Sequence, residues 1–187
     1  RDALLVWLHQ NNAIAWRYFL HAFYSGMRTG ELLGFPWKNY DPPYATIDQE
    51  MVRRELRYYQ KTQKRREVLV PEPVKAMMAD NPTRQLGYLV HLTPTGKMFK
   101  DADWLMKWWR RAHDHTGVRR RTGPYPWRAT FVSQCLSAGL AIEDVARWIG
   151  NSPAVIRNHY HKYLRDEQRE SRLLLAMENA VKEPGLS

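Results

Sequence analysis

An α+β fold, mainly helical with one small antiparallel β element, is what this sequence predicts, and three observations carry that reading. Apolar residues recur at helical spacing from Asp2 to Leu33 and again from Trp127 onward. The stretch from Met51 to Val70, by contrast, is rich in β-branched and aromatic residues around a polar turn. With 187 residues, 44% hydrophobic content, eight Trp and ten Tyr, the chain is long and apolar enough for a single cored domain over 1–187.

The elements follow in order. Leu4, Leu5, Leu8, Ile14, Phe19, Leu20 and Phe23 mark two helices broken at Asn11-Asn12, and Ser25-Gly26 ends the second. Thr29 to Leu33 forms a short helix closed by Gly34-Phe35-Pro36, which puts Arg28 at a helix junction. Asn39 to Pro43 reads as a turn cluster. Glu55 to Lys61 and Arg66 to Val70 read as the two strands of a basic hairpin around Thr62 to Arg65, with Lys61 near its turn. Val74 to Asp80 resumes helix, Asn81 to Gly96 is connecting segment, and Ala102 to His115 is a helix bearing Trp104, Trp108 and Trp109. From Trp127 one helix runs to a stop at Gly139, and Ile142, Val145 and Ile149 mark the next. Ser152-Pro153 then caps a short helix carrying Tyr160. The tail, about 166–187, holds Leu173, Leu174, Leu175 and Met177 among charges, an apolar stripe that docks either in cis or on a neighbouring protomer.

Composition narrows the function. Lys and Arg outnumber Asp and Glu 29 to 19, a formal charge of +10 that favours a polyanionic partner, nucleic acid first. No apolar run approaches the roughly 20 residues that span a bilayer, and no signal peptide is evident, so a soluble, intracellular protein without a membrane partner is expected. One cysteine, Cys135, excludes an internal disulfide and a multi-cysteine zinc site, and its helical position suits a small core hydrophobe. His113 and His115, and His159 and His161, lack cysteine or acidic partners at ligand spacing; they read as surface histidines, with no metal and no cofactor. The opening Arg1, already in helical pattern, suggests a segment upstream.

Two arginines and a tyrosine carry the chemistry. Arg28 lies in Met27-Arg28-Thr29-Gly30-Glu31-Leu32-Leu33, Arg128 in Tyr125-Pro126-Trp127-Arg128-Ala129-Thr130-Phe131, and Tyr160 follows Ile149-Gly150 by ten residues. A guanidinium presents a planar fork of donors that fits phosphodiester oxygens, and a phenol can attack phosphorus and hold it covalently. In this order and spacing, together with Gln60-Lys61-Thr62, the motifs resemble the catalytic domain of the tyrosine recombinases, the phage integrase family, over roughly residues 15 to 165.

The resemblance implies a catalytic set of Arg28, Lys61, Tyr125, Arg128, Asn151 and Tyr160. In it the arginines stabilise the phosphorane, Tyr160 forms a 3′-phosphotyrosyl intermediate, and Lys61 protonates the leaving 5′-oxygen. Tyr125 and Asn151 depart from the family pattern, which commonly has histidine at both places. A phenol of pKa about 10 is a poor base, and an amide donates hydrogen bonds but carries no charge. The group that deprotonates Tyr160 is thus left open, with His159 a candidate replacement imidazole. Glu31 either orients Arg28 through a bidentate ion pair or decorates a helix surface. Lys64, Arg65, Arg66, Arg119, Arg120 and Arg121 read as phosphate anchors.

The family also implies double-stranded DNA bearing specific sites as partner, a homotetramer on DNA and a monomer when free. It further implies an upstream core-binding domain, and a cytoplasmic, nucleoid-associated protein of a phage or integrative element. Two competing readings remain: a non-catalytic helix-turn-helix module over 128–150, and a type IB topoisomerase-like activity that relaxes supercoils.

Overall fold

Helices α1 (Asp2–Asn11) and α2 (Ala13–Ser25) meet at Asn12, whose side-chain oxygen accepts a hydrogen bond from the Ala15 N–H at 2.8 Å and so caps α2. Leu4, Leu5 and Leu8 of α1, with Ala15, Tyr18, Phe19, Ala22 and Phe23 of α2, face a common core, as their spacing predicts. Gly26 ends α2 in the left-handed region at φ 63°, and α3 (Thr29–Leu33) starts three residues later. The computed structural model of the chain describes residues 1–59, 65–119 and 125–164. Lys61, Lys64, Arg120, Arg121 and the tail lie outside the described residues.

Among the described residues, five short strands form two antiparallel sheets. β1 (Tyr40–Asp41), β2 (Tyr44–Ile47) and β5 (Arg66–Leu69) are ordered β1-β2-β5, while β3 (Gln49–Val52) pairs with β4 (Glu55–Tyr58). This corrects the expected hairpin: Glu55 to Tyr58 pairs backwards with β3, and Arg66 to Leu69 pairs with β2, so the segment bearing Lys61 joins two sheets. The missed signal is the β3–β4 turn, in which Arg53 and Arg54 adopt φ 49° and 69°. Two-residue hairpin turns require positive φ at both positions and usually use Asn-Gly or Asp-Gly, so an arginine pair hides the turn.

Helix α3 packs on β3, and the remaining described helices follow in order. α4 (Glu72–Ala79) and α5 (Thr83–Leu86) lead to α6 (Asp103–Thr116), followed by α7 (Pro126–Ser137), α8 (Ile142–Ile149) and α9 (Pro153–Leu164). The expected connecting segment thus holds a short helix, and Leu89, Val90, His91 and Leu92 beyond it are buried, Leu89 bridging to Pro36.

Phe19 stacks on Trp109 at 4.7 Å, and Trp127, 1% exposed, meets both edge-on at 5.8 and 6.2 Å. A smaller core joins Val132, Cys135 and Leu136 of α7 to Val145, Ala146 and Ile149 of α8 and Ile156 of α9. Cys135 lies there as expected, its thiol pushed up to about 11 by burial. His113 departs from its surface reading: it is buried, with Nδ1 2.7 Å from the Val118 carbonyl oxygen. Among the described residues no group of side chains could hold a metal, and no helix is long and apolar enough to cross a membrane.

Candidate active site

The site assembles on the carbonyl end of α8. A helix leaves its last carbonyls without partners inside the helix, and they carry partial negative charge. Here three arginines from three separate elements take consecutive carbonyls. Arg66 Nε donates to Trp148 O at 2.7 Å, Arg128 Nη2 to Ile149 O at 2.6 Å, and Arg28 Nη2 to Gly150 O at 3.0 Å.

Among the described residues, backbone carbonyls hold Arg128. Its Nη1 also donates to Gly26 O at 2.8 Å, and its neighbour Trp127 donates from Nε1 to Met27 O at 3.3 Å. These two bonds pin the start of α7 to the Gly26–Met27 turn, which places Arg128 beside Arg28. Gly26 is required there twice over: its φ is positive, and a Cβ would stand 2.5 Å from Phe131 Cδ1. Burial first, then the Arg28 charge, lowers the Arg128 guanidinium to about 10.

Arg28 is held differently and keeps about a third of its side chain exposed. It caps the start of α3, where Glu31 Oε2 accepts its backbone N–H at 2.7 Å and Oε1 accepts its Nη1 at 2.9 Å. Glu31 is fully buried. The structure shows an ion pair to Arg28, but through one guanidinium nitrogen and not the bidentate pair expected. Arg66 binds the same carboxylate bidentately, Nη1 to Oε1 at 2.8 Å and Nη2 to Oε2 at 2.6 Å, while Tyr59 Oη donates to Oε1 at 3.3 Å. Burial alone would raise the Glu31 carboxyl; Arg66 and then Arg28 outweigh it and hold the group at about 2.

Arg66 therefore corrects an expectation. Read from sequence as a phosphate anchor, it is 8% exposed and engaged on Nε, Nη1 and Nη2 by the protein itself. Its signal was present in the strand pattern: period-two alternation places Arg66 on the inward face with Val68 and Val70. Arg65 and Arg119, the other described anchors, are exposed. Arg65 lines a cavity of about 370 Å³ with Arg66, Arg147, Gly150 and Asn151, next to the arginine cluster.

Tyr160 lies on α9, partly exposed and packed on the smaller core. Tyr125 precedes α7, 38% exposed, its ring 6.3 Å from Trp127. His159, beside Tyr160, is exposed. The structure thus brings Arg28, Glu31, Arg128 and Asn151 to one end of α8, with Tyr160 on the adjoining α9. Sequence reasoning missed Tyr59, Arg66 and the carbonyls of residues 148–150.

No family model matches the sequence, and no curated protein matches it at the sequence level. Solved structures do match. XerA recombinase superposes with a TM-score of 0.68 at 16% identity, covering 99% of this chain and 62% of the other. The Tn1549 transposon integrase in complex with transposon right end DNA gives 0.74 at 16%, covering 94% and 63%. A lambda integrase dimer bound to a COC′ core site gives 0.64 at 12%, covering 89% and 46%. The fold is that of the tyrosine recombinase catalytic domain. The chain spans less than two thirds of the length of these structures.

Proposed function

We propose that this chain is the catalytic domain of a site-specific DNA strand transferase of the tyrosine recombinase type. The observation that carries the reading is the convergence of Arg28 and Arg128 at the end of α8, from positions 100 residues apart, with Tyr160 on the adjoining helix α9. Each guanidinium gives one hydrogen bond from each Nη to the protein, a pattern that fixes the fork and leaves donors to meet a phosphate. Clustered positive charge held before the reaction is what a phosphorane needs, because negative charge grows on its non-bridging oxygens in the transition state. Neighbouring folds bound to transposon end DNA and to a core site, and the formal charge of +10, support double-stranded DNA as the substrate.

In this reading the Tyr160 oxygen forms a bond to phosphorus as the P–O5′ bond breaks. The DNA 3′ end is left on the enzyme as a phosphotyrosyl ester, and the departing 5′-oxygen takes a proton from Lys61. The ester keeps the energy of the broken bond, so a 5′-hydroxyl can reverse the step without ATP. Tyr125 and Asn151 serve as hydrogen-bond donors to the phosphoryl oxygens, and Arg65, Lys64, Arg119, Arg120 and Arg121 grip flanking phosphates. A homotetramer on DNA and carriage by a mobile element belong to the same proposal.

The test uses duplexes selected from a random pool by binding to the chain, then resynthesised with a nick stepped along one strand. Cleavage beside the nick releases a short oligonucleotide and traps the covalent complex. An adduct with the wild type that Tyr160→Phe abolishes supports the reading. Binding with no adduct at any nick position points to a module without catalysis, and relaxation of supercoiled plasmid without two-site exchange points to a topoisomerase.

A further inference from the structure

Arg66 sits at the centre of the cluster, yet the protein itself occupies its donors. We infer that Arg66 is a positioning residue for the phosphate-binding arginine Arg28, acting through both of the groups that hold Arg28 in place. The inference rests on the strand-transfer reading for its consequence in catalysis, and on geometry alone for the positioning itself.

Both holds on Arg28 trace back to Arg66. The first is Glu31 Oε1, which takes Arg28 Nη1 and also takes Arg66 Nη1. The second is Gly150 O, which takes Arg28 Nη2; the Gly150 backbone lies directly on the Arg66 guanidinium, where a Cβ would stand 3.1 Å from Nη1 and 3.2 Å from Cζ. The Arg66 Nε bond to Trp148 O fixes α8 two residues before that carbonyl.

The chemistry explains why a third arginine is needed. Glu31 is fully buried, and an ionised carboxylate offers about four acceptor sites that must be filled when water is excluded. With Arg66 absent, the nearest cation is Arg28, and the favoured geometry for a guanidinium and a carboxylate is two parallel bonds. Arg28 would then turn onto both oxygens and leave Gly150, and the fork would face the protein instead of a phosphate. By taking Oε1 and Oε2 together, Arg66 leaves Arg28 a single side-chain bond to the carboxylate. A lysine cannot substitute, because a point-like ammonium lacks the flat edge that reaches both oxygens while a third donor in the same plane reaches Trp148 O.

The test has two arms. In the first, crystal structures of Arg66→Met and Arg66→Lys are determined. Arg28 bonded to both Glu31 oxygens, with its Gly150 bond lost, is the expected result in Arg66→Met; Arg28 unmoved in both variants overturns the inference. Arg66→Lys serves where Arg66→Met does not fold, and there a loss of either hold on Arg28 is expected. This arm decides the inference even if the wild type forms no DNA adduct, a result that would overturn the strand-transfer reading only.

The second arm measures single-turnover cleavage of the nicked duplexes at saturating protein, alongside their Kd and the melting temperature of each variant. Arg66→Lys should slow cleavage on the order of 100-fold, the scale of a 1 Å misplacement, with Kd nearly unchanged. In an Arg28→Lys background the same change should cost less than about threefold more, because the two residues act through one interaction. Full additivity of the two effects on the cleavage rate, or a loss that falls on Kd instead, overturns the inference.

Discussion

The two halves of α7 belong to different cores, and the difference separates the proposed electrophile clamp from the proposed nucleophile. Its first turn sinks Trp127 among Phe19, Trp109 and Tyr18, in the large core that also holds Met27, the residue before Arg28. Its later turns, with Val132, Cys135 and Leu136, pack on α8 and α9 in a core of seven buried residues, and Tyr160 leans on that smaller group. The arginines are held where the two cores meet: Arg128 donates to Gly26 O beside the large core and to Ile149 O at the end of α8, and Arg28 donates to Gly150 O. The tyrosine rides on a helix whose buried anchor is Ile156. For the proposed function, a clamp fixed before the reaction and a nucleophile that approaches and later releases phosphorus would be served by such a division of α7.

The comparison can be broken most severely at Trp127. Trp127→Ala should cost about 3–5 kcal/mol of global stability, because it empties the centre of the large core. Urea melts followed by far-UV circular dichroism give the number; a loss below about 1 kcal/mol would mean that the clamp does not depend on that core.

Acid should act on the same side. His21 and His91 are buried together, ring nitrogens 3.0 Å apart, and burial lowers His21 to about 3 and His91 well below its ordinary value. Both stay neutral in the folded state while the unfolded chain protonates them below about 6.5. Their stabilising contribution is therefore complete above pH 6.5 and is lost as pH falls from there towards 3. The slope should be about 1.4 kcal/mol per pH unit for each histidine. Glu31, held at about 2, adds a further loss only below about 4.5. The smaller core buries no histidine or carboxylate among its described members. A flat stability curve between pH 6.5 and 5 contradicts this account.

Much of this was legible in the sequence, and the failures have physical causes. Helices with a one-sided apolar stripe, such as Asp2–Asn11 and Ile142–Ile149, announce themselves by spacing. Strand pairing does not, because register depends on distant partners and on turn geometry. Here the turn uses Arg53-Arg54, a pair with no turn signature. At the candidate site, residue types and order singled out Arg28, Arg128 and Tyr160. Arg66 was misread because a charged side chain is taken as exposed by default, although its place opposite Ile47, in line with Val68, is a core position. The carbonyls of α8 were invisible, since any residue would supply them.

Smaller effects sharpen the division. Gly26→Ala should destabilise by about 1–3 kcal/mol, combining a positive φ with the clash at Phe131, and thermal melting checks it. It should also slow strand cleavage, because Gly26 O holds Arg128. Ile156→Val should cost about 1 kcal/mol. Native-state hydrogen exchange should register the loss first in α9, leaving the slowest amides of α2 unchanged. Equal acceleration in both helices would mean that the two cores open as one.

The most direct measurement is the identity of the residue that becomes attached to DNA. The wild-type chain is trapped on its nicked duplex, digested with protease, and the nucleotide-bearing peptide is sequenced by mass spectrometry. The account predicts a single adduct, on Tyr160, linked to a 3′-phosphate. An adduct on Tyr125 or any other residue, or duplex bound and left intact at every nick position, would contradict it.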